Sequence, residues 1–378
     1  MNKIGFSIVF SIYAFINYYL FIRGWQALPK NNLIQASYTI VFLFCSLSFF
    51  VVLAFGEKMP SAFSAIFENI GGFWMIALMY FLLAALFIDL IRLTDHIFGI
   101  YPDFIKANYP LVKLISLCSV LLVLLVLSVV GYIRFSNPQV VTLNLDIPKN
   151  VSHTDNLSIV AATDVHLGDM IRKGRLVEYV KLINDQKPDI ILLGGDLFDR
   201  NMHTVEEQHM DTVLQKLKAK YGVYAVVGNH EYFGNVTRAV NYMTKSGIKV
   251  LRDDAVTIDN KFVLIGRDDY TNRHRKPLKT IISDSDMSLP MILLDHQPFN
   301  LAEAVENKMD VQISGHTHNG QIYPFSLIVS KMYQLAYGYR KMGNTHFYVS
   351  SGLGLWGAPI RLGTQSEIVH MNLKFGNK

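Results

Sequence analysis

Charge and cysteine are what this chain has little of. Its 378 residues are too many for one ordinary domain, and 17% charged against 51% hydrophobic is too apolar for a wholly soluble protein. The shortage is local: the first 133 residues hold twelve Lys, Arg, Asp and Glu, and the remaining 245 hold fifty-three. A membrane part is therefore followed by a soluble part. The two cysteines, Cys45 and Cys118, both lie in apolar stretches, so the soluble part has no disulfide and no cysteine-ligated zinc. Its 28 basic and 25 acidic residues leave a charge of only +3, too little for a polyanion-binding surface, and nucleic acid is not an expected partner.

Four runs of 19 or more residues carry no charge: 4–22, 33–56, 70–88 and 114–133. At about 1.5 Å per residue, each is long enough to cross a hydrocarbon core of roughly 30 Å. The first run exceeds the apolar core of a signal peptide, and no small-residue cleavage site follows it. Four crossings put the N-terminus and the soluble part on one side. Lys3, Lys58, Arg134 and Lys149 flank that side, and Arg23, Lys30, Arg92, Lys106 and Lys113 flank the other, so positive charge selects neither orientation. No run holds an internal acid, base or His, which favours an anchor or lipid-facing platform over a transporter. Asp89 and Arg92 are expected to mark the end of the third helix. The expected organisation is a transmembrane region with four helices over 1–135, a polar linker over 136–155 containing Pro138 and Pro148, and a catalytic domain over 156–378.

In that domain, short β-rich runs alternate with helical patterns. Strands are expected at 157–163, 189–193, 223–227, 291–294 and 311–314, with further ones at 255–258, 261–266, 346–350 and 367–375. Leu176, Tyr179, Val180 and Ile183 recur at helical spacing. A second helix is expected over 236–246, with Gly247 placed to end it. The fold class is α/β, with mixed sheets flanked by helices.

Five of these strands end in metal-binding side chains. The first delivers Asp164 and His166, the second Gly194-Gly195-Asp196 and Asp199, the third Gly228-Asn229-His230-Glu231, the fourth Asp295 and His296, and the fifth Gly315-His316-Thr317-His318. In open α/β sheets, sites are built at the carboxyl ends of strands. A lone His or Asp at a strand end is more often a turn residue than a ligand. Five of the chain's twelve histidines falling in four of these five loops reverse those odds. Carboxylates, an amide and imidazoles converging there are what two adjacent divalent cations need. An extended backbone at Asp164-Val165-His166 and at His316-Thr317-His318 is expected to turn each pair to one face.

These five blocks, in this order, resemble the calcineurin-like metallophosphoesterase superfamily, whose pattern runs D-x-H, G-D-x-x-D, G-N-H-[DE], H, G-H-x-H. The resemblance covers nearly all of residues 155–375. The chain looks closest to a bacterial membrane-associated branch, because its last block is GHTHNGQ, with Gly320 and Gln321, and because of the tail YVSSGLGLWGAPIRLG. That branch more often has Gly where Asn319 stands, a departure beside the metals that bears on substrate fit.

The resemblance implies one metal held by Asp164, His166 and His318, a second held by Asn229, His296 and His316, and Asp196 bridging the two. A shared water would attack phosphorus, with His230 acting on the transition state or leaving oxygen and Asp199 orienting the site. Arg200 is a candidate for holding a phosphate oxygen. Arg361 and the segment from Gly352 to Gly357 are ambiguous between phosphate contact and chain reversal. Mn, Fe and Zn all suit such a mixed site.

The expected protein is a multi-pass cell-membrane enzyme, a metal-dependent phosphoric ester hydrolase acting on a phosphomonoester, phosphodiester or pyrophosphate. The alternative is a non-catalytic membrane scaffold or binding protein on a phosphoesterase fold. The stretch from Tyr323 to Tyr339 is rich in Tyr, Phe, Leu and Ile. It either completes the core behind the metals or faces the lipid bilayer, and the second reading makes the substrate a lipid-linked phosphate.

Overall fold

A computed structural model of the chain describes residues 3–151 and 156–376. It divides into two compact units, Met1–Val130 with Gly357–Pro359, and Gly131–Trp356 with Ile360–Lys378.

The first unit is helical: α1 (Lys3–Ala27), α2 (Asn32–Phe55), α3 (Ser61–Phe98), the short α4 (Asp103–Ala107) and α5 (Tyr109–Ser136), whose last turns belong to the second unit. The four long helices contain spans long and apolar enough to cross a membrane. Side chains from three of them meet in a cluster of Leu20, Phe42, Trp74 and Leu78. There the Trp74 indole N–H donates to Asn17 Oδ1 at 3.0 Å, so the buried polar groups satisfy each other. The third helix does not end at Asp89 and Arg92 as expected. It runs for 38 residues and stops at Gly99, which takes a left-handed φ of 65°. The physical reason is pairing: Tyr19, Arg23 and Arg92 all donate to the Asp89 carboxylate, so the charge is met side-on and the helix continues through it.

Among its described residues the second unit holds twelve strands: β1 (Gln139–Ile147), β2 (Asn156–Ala162), β3 (Ile190–Gly194), β4 (Val223–Val226), β5 (Lys249–Val250), β6 (Asp254–Ile258), β7 (Phe262–Gly266), β8 (Met291–Leu294), β9 (Val311–Ser314), β10 (Gly338–Met342), β11 (Thr345–Val349) and β12 (Glu367–Phe375). They form two six-stranded mixed sheets, ordered β1-β12-β2-β3-β4-β5 and β10-β11-β9-β8-β7-β6. Its helices are α6 (Lys173–Asp185), α7 (His203–Glu207), α8 (Asp211–Leu214), α9 (Asn229–Phe233), α10 (Val236–Lys245), α11 (Leu278–Ile281), α12 (Leu301–Glu306) and α13 (Phe325–Met332).

The period-two alternation of the strands builds the layers. Ile190 and Leu192 point between the sheets, where they meet Leu264, Ile292 and Ile313. Their neighbours Ile191 and Leu193 point outward onto Leu176, Tyr179, Ile183 and Met243 of α6 and α10. The outer face of the second sheet, with Val263, Met291 and Leu293, is covered by Leu278 and Leu301 of α11 and α12. The inner strands β3, β4, β7, β8 and β9 are thus buried on both faces, which is why they are continuous apolar runs.

The stretch expected as a linker, 136–155, differs in structure. The helix α5 reaches Ser136, and 139–147 is strand β1, paired in parallel with β12; residues 152–155 lie outside the described residues. Its alternation explains this: Val141, Leu143, Leu145 and Ile147 turn to the core between the sheets, while Val140 packs on the opposite face. The helix end is secured to the same unit. Arg175 lies over the Phe135 ring at 5.2 Å and donates to the Ser136 carbonyl at 3.1 Å. In hydrogen–deuterium exchange of the full chain, peptides covering 140–147 should exchange roughly tenfold or more slowly than those covering the loop 270–276, because ladder amides open only with the sheet. Equal rates would mean that β1 is not a stable strand.

Candidate metal centre

The polar groups at the strand ends converge because the strands that carry them run the same way. Strands β2, β3 and β4 are parallel in one sheet, and β8 and β9 are parallel in the other. Their carboxyl-end loops meet at one rim of the sandwich. Among the described residues three groups of ligating atoms result there, the first from Asp164, His166 and His318, the second from Asp196, His296 and His316, and a third from His166, Asp199 and His230 that shares His166 with the first, with the atoms in each lying within 4.8 Å of one another.

In the first group, His166 Nε2 and His318 Nε2 face each other at 3.1 Å, and His318 Nε2 stands 3.6 Å from Asp164 Oδ1. In the second, Asn229 Oδ1 lies 2.8 Å from His316 Nδ1 and 3.2 Å from His296 Nε2. The His296 Nδ1–H donates to the Gly194 carbonyl at 2.9 Å, which leaves Nε2 facing the cluster. Asp196 stands between them, its Oδ2 being 3.2 Å from His296 Nε2 and 3.8 Å from His166 Nε2.

The donor set fits divalent cations. Asp164 Oδ2 is buried with no hydrogen-bond partner, an acceptor that a cation would satisfy. At Gly228, a Cβ would come within 2.2 Å of Asp196 Oδ1, so only glycine lets the chain pass that close to the shared carboxylate. Burial pushes His166 and His316 down to about 4 and His318 well below the ordinary imidazole value, keeping their lone pairs free. Burial also opposes charge on His296 and Asp196, but their mutual attraction outweighs it: the imidazole is raised well above its ordinary value and the carboxyl held below the usual range.

The backbone that aims these groups is not the extended chain expected from sequence. Asp164 (φ 53°), His166 (51°), Asp196 (51°), His316 (70°) and His318 (47°) are all left-handed. Such residues cost about 1–3 kcal/mol each when they are not glycine, a cost the two packed sheets must hold in place. The paired ligands converge through these kinks rather than through strand alternation.

Of the other expected site residues, His230 is buried, its Nδ1 lying 2.7 Å from Asp199 Oδ1 and its ring 4.5 Å from that of His166. Burial opposes its charge, but Asp199 and Asp196 outweigh it and raise His230. Arg200 is exposed, with its guanidinium 5.5 Å from the Phe233 ring. Arg361 is fully buried, donating to the Gly352 carbonyl at 3.1 Å and reaching His318 Nδ1 at 3.5 Å. It therefore supports a ligand from behind and is closed to substrate. Asn319 takes a left-handed φ of 49° in the loop after His318.

Sequence reasoning passed over two groups. Glu231 accepts three backbone hydrogen bonds, from Gly228 (2.7 Å), Phe198 (2.9 Å) and Asp196 (3.1 Å), tying two ligand loops together. Its place after Asn229-His230 was the available signal. Phe299 and Tyr333 stack at 5.2 Å, each about 6 Å from the His316 ring, and form an aromatic wall beside the second group. Tyr333 falls in the aromatic-rich stretch 323–339, but its pairing with Phe299, 34 residues earlier, has no local signal.

Glu231→Gln replaces an acceptor oxygen with a donor that faces backbone N–H groups. The expected loss is about 1–3 kcal/mol of stability and roughly 10–100-fold in metal affinity, read as a lower Tm and a lower bound-metal content of the full chain. An unchanged Tm and metal content would remove Glu231 from this role.

The signature of the calcineurin-like phosphoesterase family matches residues 157–320, the segment that supplies every residue of both groups. An uncharacterized metallophosphoesterase of Helicobacter pylori is 35% identical over 223 residues, covering 57% of this chain and 60% of that protein. The chain thus spans about three fifths of the length of that relative. A transmembrane protein with metallophosphoesterase domain from Danio rerio is 28% identical, over 63% of this chain and 57% of that protein. An uncharacterized metallophosphoesterase of Bacillus subtilis is 32% identical over 259 residues, which is 65% of this chain and 90% of that protein. With nearly all of that relative aligned, and the family's signature lying on the strand ends that gather the ligands, the chain belongs to the calcineurin-like phosphoesterase family.

Proposed function

We propose that this is a multi-pass membrane enzyme of the bacterial membrane-associated branch. It hydrolyses a phosphomonoester, phosphodiester or pyrophosphate bond, and its substrate is a lipid-linked phosphate. The observation that supports the chemistry is Asp196, one of whose oxygens faces both groups of ligands. Asp164, His166 and His318 would hold one divalent cation, Mn, Fe or Zn, and Asn229, His296 and His316 a second, with Asp196 shared. Such a pair supplies a water activated near neutral pH and neutralises charge growing on the phosphoryl oxygens. The chain's own residues do the rest. Asp199 fixes the His230 ring through Nδ1, so that Nε2 is left to stabilise the transition state or protonate the leaving oxygen. Arg200, exposed beside this loop, is available to a phosphate oxygen.

Two variants separate the roles. Asp196→Ala should lose bound metal and activity on bis-p-nitrophenyl phosphate together, whereas His230→Ala should keep its metal and lose roughly 10²- to 10⁴-fold in rate. An Asp196→Ala protein with full metal content and rate would end the shared-ligand assignment; loss of metal in His230→Ala would make that residue structural.

Support for a lipid-linked substrate comes from α13. None of its side chains is buried, and Leu327, Ile328 and Met332 are 53%, 55% and 67% exposed. Between Tyr323 and Tyr339, Leu335 is the apolar residue that turns into the core. An apolar helix left in water is unfavourable, and such a patch suits the level of lipid headgroups. It is also tied to the metal loop, since a Cβ on Gly320 would lie 2.5 Å from the Ser326 nitrogen, so the first turn of α13 sits directly on that loop. Its far end leads to Tyr333 in the aromatic wall. The full chain should hydrolyse a lipid phosphate in micelles faster than a short-chain soluble analogue, and Leu327→Ser with Ile328→Ser should erase that preference while leaving the soluble rate intact. Equal rates on both substrates before mutation would defeat the lipid assignment and leave the phosphoesterase reading standing.

A further inference from the structure

A cavity of about 450 Å³ lies among α1, α2, α3 and α5, within the roughly 300–1,000 Å³ typical of ligand sites. Its walls are apolar, including Leu20, Val41, Phe42, Trp74, Phe81 and Leu117. Charge is confined to Arg23, Asp89, Arg92 and Lys113. Arg23 belongs to the last turns of α1, Asp89 and Arg92 to the later part of α3, and Lys113 to the first turns of α5. Asp89 pairs with both Arg23 and Arg92, and Arg92 and Lys113 share the Tyr109 ring, so the charges gather at one end of the helical bundle.

The single carboxylate is already used. Asp89 Oδ2 accepts from Tyr19 at 2.6 Å and from Arg23, and Oδ1 accepts from Arg92 at 3.2 Å. Among the described residues no carboxylate pairs with Lys113; its Nζ lies 5.7 Å from the Tyr109 ring, and the Arg92 guanidinium lies 6.0 Å from the same ring. Arg23 Nε is buried without a hydrogen-bond partner. Three cations against one acid leave a surplus of two positive charges at the mouth of an apolar cavity. A surplus of positive charge there calls for an anion, and the walls call for hydrocarbon.

We infer that the cavity binds a phospholipid with an anionic headgroup, one acyl chain lying between the helices and the phosphate on Lys113 and Arg92. Basic pockets between membrane helices take anionic headgroups in this way. The site uses no residue of the metal centre, so it stands or falls separately from the phosphoesterase reading.

The test is native mass spectrometry of the detergent-solubilised full chain, titrated with palmitoyl-oleoyl phosphatidylglycerol or with the matching phosphatidylcholine. The unaltered protein should retain the anionic phosphatidylglycerol on the order of tenfold or more tightly than the zwitterionic phosphatidylcholine. Lys113→Gln, which leaves the Asp89 contacts in place, should weaken it about fivefold, while Lys113→Arg should keep it. Filling the cavity with Ala85→Phe should abolish retention of the bound lipid. Equal retention of the two lipids by the unaltered protein would overturn the inference whatever the variants do, as would an unchanged preference in Lys113→Gln.

Discussion

The candidate metal centre depends on one carboxylate, Asp196, being held between two groups of side chains that could bind metal. Asp196 can face both because its backbone is left-handed, because Gly228 leaves room against its Oδ1, and because Glu231 and His230 bind the loops on either side of it. None of these contacts is strong alone, since a net hydrogen bond contributes about 1 kcal/mol. Together they fix a strained residue in one position, and the two sheets behind it supply the stability that the strain consumes.

The sandwich explains why so rigid a site can be assembled from distant parts of the chain. Three loops come from one sheet and two from the other, and the shared core of Ile190, Leu192, Leu264, Ile292 and Ile313 locks the sheets together. A shift of one sheet would separate His296 and His316 from Asp196, so packing far from the rim sets the distances at it. Arg361 shows the same logic one layer out, spending a buried guanidinium on the carbonyls of Gly352 and Gly354 behind His318.

The two units treat polar groups in an apolar setting alike. In the helical unit, Asp89 is surrounded by Tyr19, Arg23 and Arg92, and Asn17 is met by Trp74. In the other, His230 is met by Asp199 and Asp295 by Arg275. Burying a charge is tolerable only where a partner waits, and in each unit a buried group with surplus capacity, Asp164 Oδ2 in one and Arg23 Nε in the other, lies at a proposed ligand site.

The sequence alone determined the membrane helices, most of the strands and the ligand-bearing blocks. Length without charge, period-two runs and His or Asp at strand ends are local properties, legible one segment at a time. It misjudged 139–147, where two prolines and scattered Asn disguised strand β1, and the end of α3, where Asp89 lost its meaning as a stop once partners from α1 were present. It also supposed extended chain at Asp164 to His166 and at His316 to His318, whereas the ligands converge through left-handed kinks. Only the tertiary structure decided those points, along with the three N–H groups gathered by Glu231, the wall of Phe299 and Tyr333, and the exposure of α13. Most of these are meetings between residues dozens to a hundred or more positions apart, or a choice of which face stays uncovered, and the kinks are backbone conformations held by such meetings. No window along the chain contains both sides of such a contact, because it exists only after the two sheets, or the four long helices, have packed.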